Sequence, residues 1–196
     1  MHFHSGHIYH VYNQGNNRRR IFFEKDNYLF FLQKMNKLLI PHAYILAWCL
    51  MPNHFHWLIK VKDEYENKEH GINPLNSSIG SIQSSYTQAV NKRLNRSGSL
   101  FRTRTKAKIL SDDVRTRDDY GVTCFLYIHQ NPLKAGLVDK MENWPFSSYR
   151  DYAGMRNGKL CNKQLARDLF NVPDNPRDFY KFSMQTISDK LVSDIF

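Results

Sequence analysis

The chain is poor in cysteine. Cys49, Cys124 and Cys161 are an odd number in 196 residues and show no C-x-x-C spacing. That argues against a disulfide framework or a cysteine zinc site, and for a reducing cytoplasmic setting in which all three pack in the interior. No run approaches the ~18 apolar residues that a membrane span requires. The opening stretch, MHFHSGHIYH, has neither a cationic start nor an apolar stretch of signal-peptide length, so secretion is not expected. A G-x-x-x-x-G-K-[ST] phosphate loop is missing too, as are internal repeats and low-complexity tracts. Acidic residues are in deficit: 18 Asp and Glu stand against 28 Lys and Arg, leaving a net charge of +10. Such an excess favours a polyanionic partner, nucleic acid ahead of an anionic membrane surface. With 41% hydrophobic and 23% charged residues, the composition is that of a soluble globular chain, long enough for one compact domain and an appendage.

HIYHVYNQG alternates β-branched and aromatic residues and stops at Gly15, which predicts a first strand. In KDNYLFFLQKMNKLLI, Leu29, Leu32, Met35, Leu38 and Leu39 recur at helical spacing and Pro41 closes the run. HAYILAWCLM and HFHWLIKV read as two strands joined by a bend at Pro52-Asn53, followed by a charged loop from Lys62 to Asn73. A second helix is expected from Pro74 to Leu94, a fourth strand over SLFRTRTKAKIL, and a third helix over RDDYGVTCFLYIHQNP whose end is forced near Pro132, because the residue before a proline resists helical angles. The order β-α-β-β-α-β matches an α+β, ferredoxin-like antiparallel sheet with helices on one face, followed by a tyrosine-bearing helix. A helix over 138–154 completes residues 1–154; its Trp144 and Tyr149 fit either stacking on bases or packing, and packing is the favoured reading. Residues 155–196 read as a helical C-terminal extension containing KQLARDLF and PRDFYKFSMQTISDKL.

In MPNHFHWLIKV, His54 and His56 share one face of a strand while Phe55 points to the other. Their Cα atoms lie roughly 6.5 to 7 Å apart at strand spacing, close enough for two imidazoles to converge on one ion. A pair of satisfied polar residues at a strand start fits the same string. His2-Phe3-His4 repeats the triplet at a terminus, where ligands are seldom held in place. A metal site needs a third ligand. In CFLYIHQNP, Tyr127 and Asn131 stand four apart, one turn from each other on a helix face. They fit either a nucleophile with a neighbouring ligand or an ordinary amphipathic helix.

YHVYNQGNNRRRIFF, MPNHFHWLI, YIHQNPLKAGLV and WPFSSYRDYAG occur in this order over roughly residues 7 to 154. Together they resemble the HUH single-tyrosine transposases, most closely the REP-associated tyrosine transposases and their insertion-sequence relatives. The resemblance implies a ferredoxin-like catalytic domain that cleaves and rejoins single-stranded or hairpin DNA through a covalent 5′-phosphotyrosine. It implies that Tyr127 is the nucleophile and that His54, His56 and Asn131 hold a divalent metal ion, Mn²⁺ or Mg²⁺. Gln130 is adjacent, and some relatives use glutamine as the third ligand, so a one-residue shift of register would exchange the two. Family members include helix-exchanging homodimers and monomers, and the sequence does not choose between them.

The cations have candidate locations. On a strand, Arg102, Arg104, Lys106 and Lys108 would line one face at a spacing close to that of successive phosphates in a single strand. Charge protecting an edge strand from aggregation explains the same pattern. Arg18, Arg19 and Arg20 form a second cluster, read either as a solvated loop or, by the resemblance, as DNA contacts. Other readings of the whole chain are a catalytically idle or regulatory DNA- or RNA-binding module on the same fold, and an HUH replication or mobilisation nickase. The intact set of four residues speaks against the first, and the length leaves no room for the companion domains usual in the second. A zinc hydrolase would need a carboxylate base beside the histidines, and none stands out.

Overall fold

A computed structural model describes residues 1–63, 74–110 and 117–194 of the chain. Strands β1 (Ile8–Gln14), β2 (Ala43–Met51), β3 (His54–Val61) and β4 (Lys106–Ile109) form one sheet in the order β2-β3-β1-β4, and every neighbouring pair is antiparallel. Helix α1 (Lys25–Leu38) links β1 to β2, and α2 (Pro74–Arg93) lies between β3 and β4 in sequence. The long α3 (Arg117–Lys134) follows, then the short α4 (Tyr149–Tyr152), α5 (Lys163–Phe170), α6 (Pro176–Ser183) and α7 (Asp189–Asp194). The architecture is α+β. Among the described residues no helix is long and apolar enough to cross a membrane.

Strand alternation sorts the two faces of the sheet. Phe55 and Trp57 point to one side, where their rings lie 5.5 and 5.9 Å from Phe31 of α1. Phe31 in turn meets Tyr86 of α2 edge-on at 5.1 Å, so α1 and α2 bury this aromatic face. The start of α1 is fixed by Asn27, whose Oδ1 accepts from the backbone N–H of Phe23 and Glu24. On the opposite side stand His54 and His56, and there α3 lies, with the Tyr127 ring 5.4 Å from that of His56. The tyrosine helix therefore covers the face that α1 and α2 leave.

Both sheet edges are managed. Along the outer edge of β2, Leu50 N–H donates to Phe146 O, Ser148 N–H to Trp48 O and Asn162 N–H to Ile45 O, each at 2.9 Å. A belt from about residue 146 to 162 thus satisfies backbone groups that would otherwise template pairing with another chain. The other edge, β4, is only four residues long and carries exposed Lys106 and Lys108. The extension is built on the same core: Ala166, Phe170, Val172 and Phe179 belong to the hydrophobic cluster that contains the sheet.

Three expectations change. The fourth strand does not span SLFRTRTKAKIL, because only Lys106–Ile109 pair with β1, and Phe101 forms an isolated bridge to Gly15. Asn13 Nδ2 donates to Arg102 O (3.1 Å), so a side chain takes up a backbone carbonyl that a ladder would have used, and it also meets Thr105 Oγ1 (3.1 Å). Helix α3 does end near Pro132, at Lys134, but it runs through the proline and is not stopped at the residue before it. A proline one turn from a helix end removes one hydrogen bond, and here Ala135 N–H to Asn131 O and Leu137 N–H to Pro132 O close the terminus, with Gly136 at φ 67°. No single helix covers 138–154, because Trp144 precedes Pro145 and is extended (φ −90°, ψ 106°); a 3₁₀ turn at Met141–Asn143 and the single-turn α4 stand in its place. The charged loop read from Lys62 lies outside the described residues beyond Asp63.

Candidate active site

The register of β1 against β3 sets Tyr12 opposite His56 and Gln14 opposite His54, and that of β1 against β4 sets Lys106 opposite Tyr12 and Lys108 opposite His10. Directly paired residues share a face. His10, Tyr12, Gln14, His54, His56, Lys106 and Lys108 therefore occupy the side of the sheet that α3 approaches. A cleft of 360 Å³ opens there, lined by Tyr12, His54, His56, Tyr127 and the cations Arg102, Arg104 and Lys106.

The two histidine rings lie 4.9 Å apart and nearly perpendicular. Asn131 lies one turn beyond Tyr127 on α3, and its side chain interacts with both His54 and the Tyr127 phenol. Gln130 points elsewhere: its Nε2 donates to Ser183 O (2.9 Å) and Gln185 O (2.8 Å), anchoring α3 to the extension. Of the two neighbouring amides, Asn131 is the one that reaches His54 and Tyr127.

Burial governs the protonation of the site. It lowers His54 to about 4, partly offset by the Asn131 hydrogen bond, and it pushes His56 well below the usual imidazole range, assisted by His10 and His54. Both rings are neutral at pH 7, the state in which imidazole has a lone pair for a cation. Burial also raises the Tyr127 phenol to about 12, against which Asn131 acts. Left alone, that phenol is a weaker nucleophile than free tyrosine.

The Asn53 amide has a defined orientation: its Nδ2 donates to Arg18 O (3.3 Å), and its Oδ1 lies 2.6 Å from His54 Nδ1. The turn carrying Arg18 is tied to the same place, since Gly15 N–H donates to Asn53 O and Ile21 N–H to Pro52 O, both at 2.8 Å. Gly15 tolerates no side chain, because a Cβ there would collide with the Arg19 carbonyl. Asn17 and Arg18 have positive φ, and the exposed Arg18 and Arg19 thus stand on a tight turn held to Asn53. Arg20 differs from its neighbours, for its Nε donates to Phe22 O at 2.6 Å.

The four cations expected on one strand face are divided. Lys106 and Lys108 lie on β4, while Arg102 and Arg104 precede it, at the junction of the cleft with a wider groove of 1010 Å³ along α2. Turned with its oxygen toward Arg102, the Gln14 amide accepts from Nε (3.0 Å) and Nη2 (2.8 Å). One participant was not singled out by sequence. His10 is fully buried, and its Nε2 lies 2.9 Å from His56 Nδ1. Strand parity groups His10 with Tyr12 and Gln14; the register sets it opposite Leu58, and its ring reaches diagonally across the ladder to His56. Among the described residues no three His, Cys, Asp or Glu side chains converge on one point. The third group here is an amide.

No protein-family model matches the sequence, and no curated protein matches it. Solved structures do. A REP-associated tyrosine transposase bound to a REP hairpin superposes with a TM-score of 0.58 at 19% identity, over 89% of this chain and 87% of that one. A bacterial tRNA(His) guanylyltransferase-like protein in complex with GTP aligns at a TM-score of 0.43 and 9% identity, over 70% of this chain and 69% of the other. The chain thus has a fold similar to that of a hairpin-bound tyrosine transposase over most of both lengths.

Proposed function

We propose that this chain is a DNA strand transferase of the HUH single-tyrosine transposase type, acting on single-stranded or hairpin DNA. The observation that carries the reading is the meeting of Tyr127 and the His54–His56 pair in one cation-flanked cleft, with the Asn131 side chain against both His54 and Tyr127, from elements more than 60 residues apart in sequence. The β-α-β-β-α-β order and the strand order β2-β3-β1-β4 support the ferredoxin-like assignment. In this reading residues 1–154 form the catalytic unit and 155–196 brace it.

His54, His56 and the Asn131 amide oxygen would hold a divalent cation, Mn²⁺ or Mg²⁺. The donors fit: two neutral imidazoles and one amide adjoin a single cleft, a mixed nitrogen and oxygen set suited to such ions. When bound, the ion supplies Lewis acidity that polarises a phosphoryl oxygen and favours ionisation of a nearby phenol. The chain's own residues do the rest. Arg102, Arg104 and Lys106 line the cleft, and Arg18 and Arg19 stand on the turn held to Asn53; together they attract and orient the phosphate backbone. Tyr127 Oη then forms a bond to phosphorus, the P–O3′ bond breaks, and the departing oxygen takes up a proton as a 3′-hydroxyl. The 5′-phosphotyrosine conserves the phosphodiester energy, so a second 3′-hydroxyl can rejoin the strand without a nucleotide cofactor.

The test is incubation with Mn²⁺ and end-labelled hairpin oligonucleotides, followed by denaturing electrophoresis. A covalent adduct is expected with the native chain and none with Tyr127→Phe. Failure of a panel of hairpins to give an adduct, or an adduct that survives the substitution, overturns the proposal.

A further inference from the structure

His10 has no part in the reading above, yet it is fully buried against one of the two histidines. We propose that His10 is a positioning residue: it accepts the Nδ1 proton of His56, and so reserves His56 Nε2 for a divalent cation. The inference rests on the assignment of His54 and His56 as cation ligands.

A neutral imidazole carries one N–H proton, and a hydrogen bond between two ring nitrogens contains one. If His10 Nε2 were the donor, His56 Nδ1 would accept, and the proton of His56 would sit on Nε2, where it blocks coordination. If His56 Nδ1 donates, Nε2 has the lone pair. Only the second arrangement suits a ligand, and it is the one in which the partner of a ligating histidine fixes its tautomer and ring orientation.

His54 reaches the same state by an independent route. Asn53 Nδ2 donates to Arg18 O, so the amide oxygen is the atom that faces His54 Nδ1. A carbonyl oxygen can only accept, so the proton of His54 is on Nδ1 and its lone pair is on Nε2. The two imidazoles are thereby matched, one by an amide oxygen and one by a third histidine. The geometry around His10 is rigid enough for the task. Its ring stacks on His56 (5.1 Å, 24°) and on Tyr12 (4.8 Å, 30°), and the β1–β3 ladder fixes all three backbones. Tyr12 closes the arrangement from the cleft side, where it lines the wall beside His56.

Two measurements on the full chain test this. Calorimetric titration with Mn²⁺ alone should show affinity falling about 10- to 100-fold in His10→Phe, which retains a flat ring but has no acceptor. His10→Gln, whose amide oxygen can take the same proton, should recover most of the loss. Long-range ¹H–¹⁵N correlation spectra of the metal-free native chain should show His56 with its proton on Nδ1, which a merely structural role for His10 does not demand. An Nε2–H tautomer for His56 overturns the proposal, as does unaltered Mn²⁺ affinity in a folded His10→Phe chain whose native counterpart binds. If His10→Phe fails to fold, the native tautomer and the His10→Gln affinity decide. A native chain that binds no Mn²⁺, or binds it equally well after His54→Ala, removes the cation reading itself and this inference with it.

Discussion

Replacing Gln130 by leucine separates the stability of α3 from the chemistry of its neighbour. Gln130 is buried, and its Nε2 donates to Ser183 O at 2.9 Å and Gln185 O at 2.8 Å. Leucine roughly fills the same volume but leaves both carbonyls without this donor. A buried hydrogen bond contributes about 1 kcal/mol net, and stranding a polar partner costs about 1–3 kcal/mol. Two acceptors, one only partly shielded, place the loss at roughly 2–3 kcal/mol. For a domain of this size each kcal/mol lowers the midpoint by about 2–4 °C, so a fall of roughly 4–12 °C is expected. The assays are thermal unfolding and covalent adduct yield at a temperature well below both midpoints. Gln130→Leu should keep its adduct yield there, whereas Asn131→Ala should lose it with little change in midpoint. The reverse pattern, with adduct abolished by Gln130→Leu and retained by Asn131→Ala, would refute the assignment of Asn131 to the cleft.

Stability should fall on acidification. Burial lowers His129 to about 3 from the ordinary 6.5, so between those values the unfolded chain holds more protons and gains relative to the native one. The loss begins as pH drops below 6.5 and is complete near 3, with a slope approaching ~1.4 kcal/mol per pH unit from this group; His54 and His56 act in the same direction. A midpoint that stays level between pH 7 and pH 5 would contradict this. Arg104→Ala should weaken binding to single-stranded DNA at every sequence and flatten the log–log salt dependence by about 0.7, the share of one phosphate contact. An unchanged slope in a salt titration would place Arg104 off the DNA path.

The strands β1 to β3 and helices α1 and α2 were legible because each carries its own period. Alternation ends at Gly15, and apolar residues recur at helical spacing over Leu29 to Leu39. The fourth strand is shorter than its pattern predicts because its cations alternate whether or not the backbone is paired, and because the Arg102 carbonyl is taken by the side chain of Asn13, distant in sequence. Pro132 misled for a different reason. The rule that proline stops a helix weakens in the last turn, where few hydrogen bonds remain to be lost. At the site, His54, His56, Tyr127 and Asn131 could be nominated from spacing and resemblance, and the fold brings them to one cleft. Between Gln130 and Asn131, the four-residue spacing from Tyr127 favours Asn131, whose side chain does reach His54 and Tyr127 while that of Gln130 leaves the helix toward the extension. His10 was hidden because its partner is set by cross-strand register, which no local pattern encodes.

That register acts as a ruler for the cleft. Side chains in a strand alternate with period two, so sliding β3 by a single residue would turn His54 and His56 into the aromatic layer of Phe31 and Tyr86 and bring Phe55 out to Tyr127. The β2–β3 ladder contains one irregularity, between Ile45 and Ala47, beyond which Trp48 meets Trp57 and Cys49 meets His56. An extra residue is thus accommodated on the outer strand, while the inner ladder from Ile8–Lys60 to Gln14–His54 runs without a break. Length changes in β2 can be absorbed before they reach the histidines, but length changes in β1 or β3 cannot. Insertions tolerated by this fold should therefore accumulate outside the inner pair, and a single added residue within it should abolish the cleft while leaving the composition of the sheet almost unaltered.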